Sequence, residues 1–164
     1  MWAPPVRPAV PPGTRDIERL RELIDEAGPH AYVVLLGLEA FDAPDLMKAV
    51  RKGLPYRAWD RLRRNMGLPI DRLLELVDIP RRTLTRRKRD GRFLPDESDR
   101  LLRAARLFAR ALALFAGHRE SAVEWLTAPQ PALGGASPLA VATTELGARE
   151  VEALIGRLEH GVFS

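Results

Sequence analysis

Seven cationic side chains crowd into the segment 81–92: Arg81, Arg82, Arg86, Arg87, Lys88, Arg89 and Arg92, against one acid, Asp90. Guanidinium groups packed this densely repel one another unless something anionic binds. An arginine can grip the O6/N7 edge of guanine with two parallel hydrogen bonds, and a threonine can touch a thymine methyl group. Thr83 and Thr85 stand in the same segment. The chemistry on offer is recognition of a polyanion, and duplex DNA suits it best. Arg81, Arg82, Thr83, Thr85, Arg86 and Arg89 are expected to face outward. Arg87, Lys88 and Arg92 are expected at phosphates, where contacts give affinity and salt dependence without reading sequence. A solvated basic helix, or one that meets an acidic partner protein, is the alternative.

The positive charge is local. Residues 51–92 carry 14 Lys and Arg against 5 Asp and Glu, a balance of +9, while residues 1–50 stand at −3 and residues 93–164 at −2. The whole chain is only +4. Such asymmetry marks one polyanion surface and not general basicity.

To present that surface the chain needs a scaffold, and the flanking pattern supplies one. Leu68-Pro69 opens a helix with Leu73, Leu76 and Val77 apolar; Asp78-Ile79-Pro80 breaks it; the basic helix from Arg81 to Arg89 follows and stops at Asp90-Gly91. Helix, three-residue break and basic helix is the layout of a helix-turn-helix. Leu73 and Val77 suit the inner face of the first helix, Ile79 the plug of the turn, and Leu84 the anchor of the second helix. Such motifs usually have Ala where Leu74 stands and Gly where Asp78 stands. Asp tolerates the left-handed conformation moderately well.

Other elements follow from helical spacing and stop signals. Thr14 can cap a helix over Arg15 to Ala27, after a Pro-rich arm that reaches Gly13. Tyr32 to Leu36 is a short apolar run that fits a strand or a buried helical turn. Asp42 through Gly53 and Pro55 to Met66 read as two further helices, the second with Trp59, Leu62 and Met66 on one face. Pro95 to Ala116 is the longest element, closed by Gly117, with Asp96, Glu97 and Asp99 in its first turn, where the helix dipole favours acids. Glu120 to Thr127, Pro138 to Thr143 and Gly147 to Glu159 complete the chain as helices.

Enzyme chemistry finds no constellation. His30, His118 and His160 are scattered without metal-ligand spacing, and no serine sits in an elbow motif. Gly134-Gly135 is too short to cradle a phosphate. No catalytic residue, metal site or cofactor is expected. The sequence has no cysteine, which suits a cytoplasmic home. No apolar run approaches a membrane span, and the first residues lack the apolar core of a signal peptide.

The last forty residues carry a different message. Pro129, Pro131, Gly134, Gly135 and Pro138 pin a loop that either turns a corner between helices or docks a partner at small entropic cost. Gly161-Val162-Phe163-Ser164 places an aromatic beside the chain end. Ends are usually polar and frayed, so an apolar one is packed down or offered to a partner.

Two strings carry a resemblance. One holds Thr83-Leu84-Thr85-Arg86-Arg87, Gly91-Arg92-Phe93-Leu94 and Glu97-Ser98-Asp99-Arg100-Leu101. The other holds Trp125, Leu126, Pro129, Pro131, Leu133, Gly134, Gly135, Pro138, Leu139, Thr143, Gly147, Val151, Leu158, Gly161, Val162 and Ser164, with Gln130 in place of a commoner Asn. Together they resemble the Xre/MbcA/ParS family of antitoxins over nearly all of residues 54–164. The resemblance implies that the C-terminal block caps a toxin of the RES type and blocks its NAD pocket. Pro131, Leu133, Gly134, Gly135, Arg157, His160, Gly161, Val162, Phe163 and Ser164 would be the toxin-facing set, although Trp125, Leu133, Val151 and Leu158 also suit a core.

The expectation is an all-α protein, with an Xre-like helix-turn-helix module over residues 54–116 and a small helical toxin-binding domain over residues 117–164. Residues 1–13 form an arm and residues 14–53 a helical extension. Its partners would be a RES-domain toxin and operator DNA, bound as a homodimer, with no membrane involved. A stand-alone helix-turn-helix regulator is the competing reading.

Overall fold

The computed structural model describes residues 22, 30–39 and 42–161. The Pro-rich arm, most of the helix expected from Arg15 to Ala27, and Val162, Phe163 and Ser164 lie outside the described residues. Among the described residues there are nine α-helices and no strand, so the all-α expectation holds.

The apolar run after His30 is helical, not a strand: α1 spans Ala31–Leu35 and buries Ala31, Val33 and Leu35. Helix α2 spans Ala43–Lys52 and starts where the Asp42 carboxylate accepts the Asp45 amide at 2.8 Å, a side-chain N-cap. Helix α3 spans Tyr56–Met66 and buries Ala58, Trp59, Leu62 and Met66 along one face. Helices α4, Ile70–Val77, and α5, Arg81–Asp90, follow. Between α2 and α3 stands Gly53, with φ +91° and a backbone so close to Phe93 that a Cβ would lie 2.0 Å from the Phe93 carbonyl oxygen. Only glycine fits there.

Helix α6, Pro95–Leu114, is the spine. It packs against α1, α2, α3 and α4, and also against α7, Arg119–Thr127, and α9, Glu145–Glu159. The reason is its sequence: Leu101, Ala104, Ala105, Leu107, Phe108, Ala111 and Leu112 are buried on more than one face, the pattern of a helix enclosed by neighbours. The helix stops at Leu114, two residues short of the expected Ala116, because Ala116 itself turns left-handed at φ +52°. The Gly117 amide then reaches back to the Leu112 carbonyl at 2.7 Å.

Past α7, a 3-10 turn, Pro131–Leu133, leads to the short α8, Pro138–Val141. Helix α8 ends before the expected Thr143, and α9 begins two residues earlier than Gly147. The Thr144 hydroxyl accepts the Gly147 amide at 3.0 Å and starts α9 at Glu145. No described helix is long and apolar enough to cross a membrane.

Candidate nucleic-acid interface and partner surface

The break between α4 and α5 is built as a tight corner. Asp78 adopts φ +51° and ψ +52°, the left-handed conformation that a helix C-terminus commonly needs. The Ile79 amide closes onto the Leu74 carbonyl at 3.1 Å. Leu73, Val77 and Ile79 are buried, and Leu84 is half-buried against the same core. All four residues assigned to the helix-turn-helix scaffold therefore pack inward as expected. Leu74 is buried too.

Three residues in the first turns of α6 bind this corner and its surroundings. Arg87 Nε donates to Glu97 Oε2 at 2.7 Å, and Nη2 donates to Oε1 at 2.9 Å. Glu97 Oε2 also accepts the Leu94 amide at 2.8 Å. Ser98, fully buried, accepts the Leu54 amide at 2.8 Å and donates to the Leu94 carbonyl at 2.8 Å. Arg100 Nε donates to the Val77 carbonyl at 2.7 Å, so it satisfies the open end of α4. Glu97, Ser98 and Arg100 thus hold α5, the segment leading into α3, and the end of α4 to α6. Arg100 does pair with Asp96 at 3.3 Å, as helical spacing suggests, but its shorter bond goes to the corner.

Arg87 is the correction to the expected DNA-contacting set. It is 8 % exposed, with its guanidinium spent on Glu97 and, at 3.4 Å, on Asp90. The hydrogen bond to Glu97 raises its pKa further above the ordinary arginine value. Burial pushes the Glu97 carboxyl up, but the bonds from Arg87 and the Leu94 amide outweigh that and hold it below the ordinary range.

The outer face of α5 is different. Arg82, Thr85, Arg86 and Arg89 line one shallow cleft, at the i, i+3, i+4, i+7 spacing that shares a helix face. Among the described residues, Arg82, Arg86 and Lys88 have no ion-pair partner, and the nearest acid to Arg89 is Asp90 at 3.9 Å. Arg81 Nε donates to Asp71 at 2.9 Å, both side chains being largely exposed. Thr83 is half-buried; Thr85 is exposed and its hydroxyl donates to the Arg81 carbonyl at 3.1 Å. Helix α5 also has no acid in its first turn and no side-chain cap, and Arg81 and Arg82 stand there instead. Cations at the positive end of a helix dipole are unfavourable by themselves, and the same end is a ready site for an anion. Arg92 lies past α5, exposed, with Nη1 donating to the Gly53 carbonyl at 2.6 Å.

In the C-terminal block, the loop after α7 is stapled by its own backbone. The Gln130 amide donates to the Ala136 carbonyl at 3.1 Å, and the Gly135 amide donates to the Gln130 carbonyl at 3.0 Å. Gln130 Nε2 holds the Trp125 carbonyl at 3.2 Å. Pro131, Gly134 and Gly135 are exposed together on this loop, whereas Leu133 packs against the core. Arg157 is half-buried, and His160 and Gly161 are exposed, in a second group at the end of α9. Helix α9 is stitched to α6 by Arg103–Glu145 at 2.8 Å, Arg106–Glu152 at 2.9 Å and Arg110–Glu159 at 3.5 Å. Hydrogen bonds from Arg103 and then Arg149 lower the Glu145 pKa. Helical spacing in the sequence shows Arg103, Arg106 and Arg110 beside an apolar stripe but not the glutamates they meet. No cluster of three metal-ligating side chains occurs among the described residues.

Comparison with known proteins finds two family matches along the chain. Residues 45–106 match the antitoxin Xre-like helix-turn-helix domain, and residues 110–161 match the antitoxin Xre/MbcA/ParS C-terminal toxin-binding domain. The chain is 41 % identical over 130 residues to a protein named antitoxin Xre from Yersinia enterocolitica, covering 79 % of this chain and 88 % of that one. It is 33 % identical over 130 residues to an antitoxin Xre of Photorhabdus laumondii, with the same coverage. A third antitoxin Xre, from Pseudomonas putida, is 39 % identical over 84 residues, which is 51 % of this chain and 52 % of that one.

Proposed function

The chain belongs to the family of Xre antitoxins, and from that premise we propose that it is a type II antitoxin acting on a RES-domain toxin. It binds the toxin through residues 117–164, occludes the active site that consumes NAD, and represses its own operon through α5. On this reading the chain performs no catalysis and needs no cofactor. It works in the cytoplasm as a homodimer, since helix-turn-helix proteins commonly read paired half-sites.

The observation that carries the reading is a pairing within one chain. A helix whose outward arginines Arg82 and Arg86 have no ion-pair partner among the described residues is joined, through α6, to a block that matches a toxin-binding domain. Arg82, Arg86 and Arg89, with Thr85, are the proposed base-reading group; Arg81, Lys88 and Arg92 are proposed at phosphates. Pro131, Gly134, Gly135, Arg157, His160 and the terminal Gly161–Ser164 are the proposed toxin contacts.

Co-expression with the product of the neighbouring gene tests the reading. The neighbour alone should drain cellular NAD and arrest growth, and this chain should restore both. Deleting Gly161–Ser164 should leave folding intact and weaken protection. If the neighbour is harmless, or this chain gives no protection, a stand-alone regulator replaces the antitoxin.

A further inference from the structure

We infer that the DNA contact extends beyond α5 and Arg92 onto Lys52 and Arg57, which together with Arg92 grip backbone phosphates beside the reading face. The inference rests on the DNA-binding reading of α5 and adds residues of α2 and α3 to it.

Backbone bonds bring the group together. The connection from α2 to α3 runs antiparallel to the segment that leaves α5. The Phe93 amide donates to the Leu54 carbonyl at 2.9 Å, the Tyr56 amide donates to the Gly91 carbonyl at 2.9 Å, and Pro55 bridges Arg92. Gly91 in turn closes α5, its amide donating to the Arg87 carbonyl at 2.8 Å. The end of α2, the start of α3 and the end of α5 are therefore tied at one point. The close approach of Gly53 to Phe93 fixes that point further, since no side chain could fit between them.

Lys52 precedes the connection, Arg57 follows it, and Arg92 lies across it. All three are exposed, and none has an ion-pair partner among the described residues. Arg92 spends one N–H on the Gly53 carbonyl and keeps the rest of its fork. The first turn of α3 holds no acid. Asp60, one turn along α3, is half-buried and forms no ion pair with Arg57. Arg51 is left out of the group because it shares a cleft with Asp99.

The group adjoins the end of α5 through the backbone bonds at Gly91 and Phe93, and the one acid between Arg89 and Gly91, Asp90, is paired with Arg87 at 3.4 Å. A polymer of regularly spaced phosphates fits such an arrangement. Lysine, a point charge without the planar fork of arginine, suits phosphate better than a base edge. The group would set position on the duplex without adding sequence preference.

The test measures affinity of the full chain for the DNA upstream of its own gene, and for a scrambled duplex of equal length, across a salt series. The double variant K52A/R57A should weaken binding to both duplexes by the same factor. It should also make the slope of log affinity against log salt shallower by roughly 1 to 2, since each neutralised phosphate contributes about 0.9. The charge-keeping variant K52R/R57K should retain the wild-type slope, which separates removal of charge from failure to fold. An unchanged slope in K52A/R57A overturns the inference, as does an equal weakening in K52R/R57K. R82A/R86A serves as the reference. If it abolishes promoter preference while K52A/R57A changes nothing, only this inference falls. If neither variant alters binding, the DNA reading of α5 falls as well.

Discussion

The Arg87 guanidinium and the Glu97 carboxylate face each other in two parallel hydrogen bonds of 2.7 and 2.9 Å, with 8 % and 5 % of the residues exposed. The pair fastens α5 to the first turn of α6. A buried pair gains little over apolar packing, because both charges leave water, but removing one partner strands the other. R87A or E97A alone should therefore cost about 3–5 kcal/mol, and the double variant R87M/E97L should recover most of it. Thermal and urea melts check this. Single variants that melt with the wild type would mean the pair is not buried in solution. Since Arg87 offers nothing to phosphate, R87M/E97L should keep the wild-type salt slope for DNA.

Acid should release the same fastening. The folded-state pKa of Glu97 lies below its ordinary value, so the unfolded chain takes up a proton first as pH falls. The stability the pair contributes is complete above the unfolded glutamate value, about 4.3, and is lost as pH drops through the lower folded value. Glu145, lowered by Arg103 and Arg149, acts in the same direction but is half exposed and contributes less. A pH series of melting midpoints should show the wild type losing stability below about pH 4 more steeply than R87M/E97L. Parallel curves would remove Glu97 as the cause.

Arg82 and Arg86 should matter more for DNA than Arg81. The first two have no ion-pair partner among the described residues, while Arg81 already leans on Asp71. Removing either bidentate grip on a base should cost about 1–3 kcal/mol and relax specificity at that base position. R81A should weaken promoter and scrambled duplexes alike and by less, because a phosphate contact reads no sequence and Asp71 already shares the Arg81 guanidinium. Quantitative gel shifts with single-base promoter variants decide. R81A as the variant that relaxes specificity would reverse the assignment.

What the sequence made legible is what local physics determines. Apolar spacing placed Leu73, Val77 and Ile79 inside, and stop signals bounded α2 to α5 within a residue or two. At Asp78 the motif's usual Gly is missing, yet the left-handed turn forms, since Asp tolerates that conformation better than most side chains. The inward turn of Arg87 could not be anticipated. Within a run of arginines nothing local singles out the member that will pair, and the choice is made by an acid ten residues away on another helix. Helical spacing shows Arg100 as an i,i+4 partner of Asp96, but its shorter bond reaches the Val77 carbonyl, 23 residues back. The Arg–Glu ladder between α6 and α9 spans 42 to 49 residues of sequence, so helical periodicity shows each arm without the pairing.

Gly147 should be the residue at which the two activities separate. A Cβ there would lie 1.7 Å from the Val141 carbonyl oxygen, and that obstacle is backbone, not the end of a flexible side chain. The Gly147 amide is also the donor that lets Thr144 start α9. Gly147→Ala must therefore push α8 away or unwind the first turn of α9, and overpacking of this kind costs about 1–3 kcal/mol. The strain falls between α8 and α9, while the helix-turn-helix corner is fastened to α6 by separate bonds, Arg87 to Glu97 and Arg100 to the Val77 carbonyl. Toxin protection should drop, and promoter binding measured below the melting midpoint should persist. Gly156→Ala is the control, since it lies in the same helix and its Cβ would meet only the Arg110 guanidinium, at an ordinary contact distance of 3.7 Å. An equal drop in promoter binding and protection in Gly147→Ala would mean that α6 transmits the strain and that the two halves do not act separately.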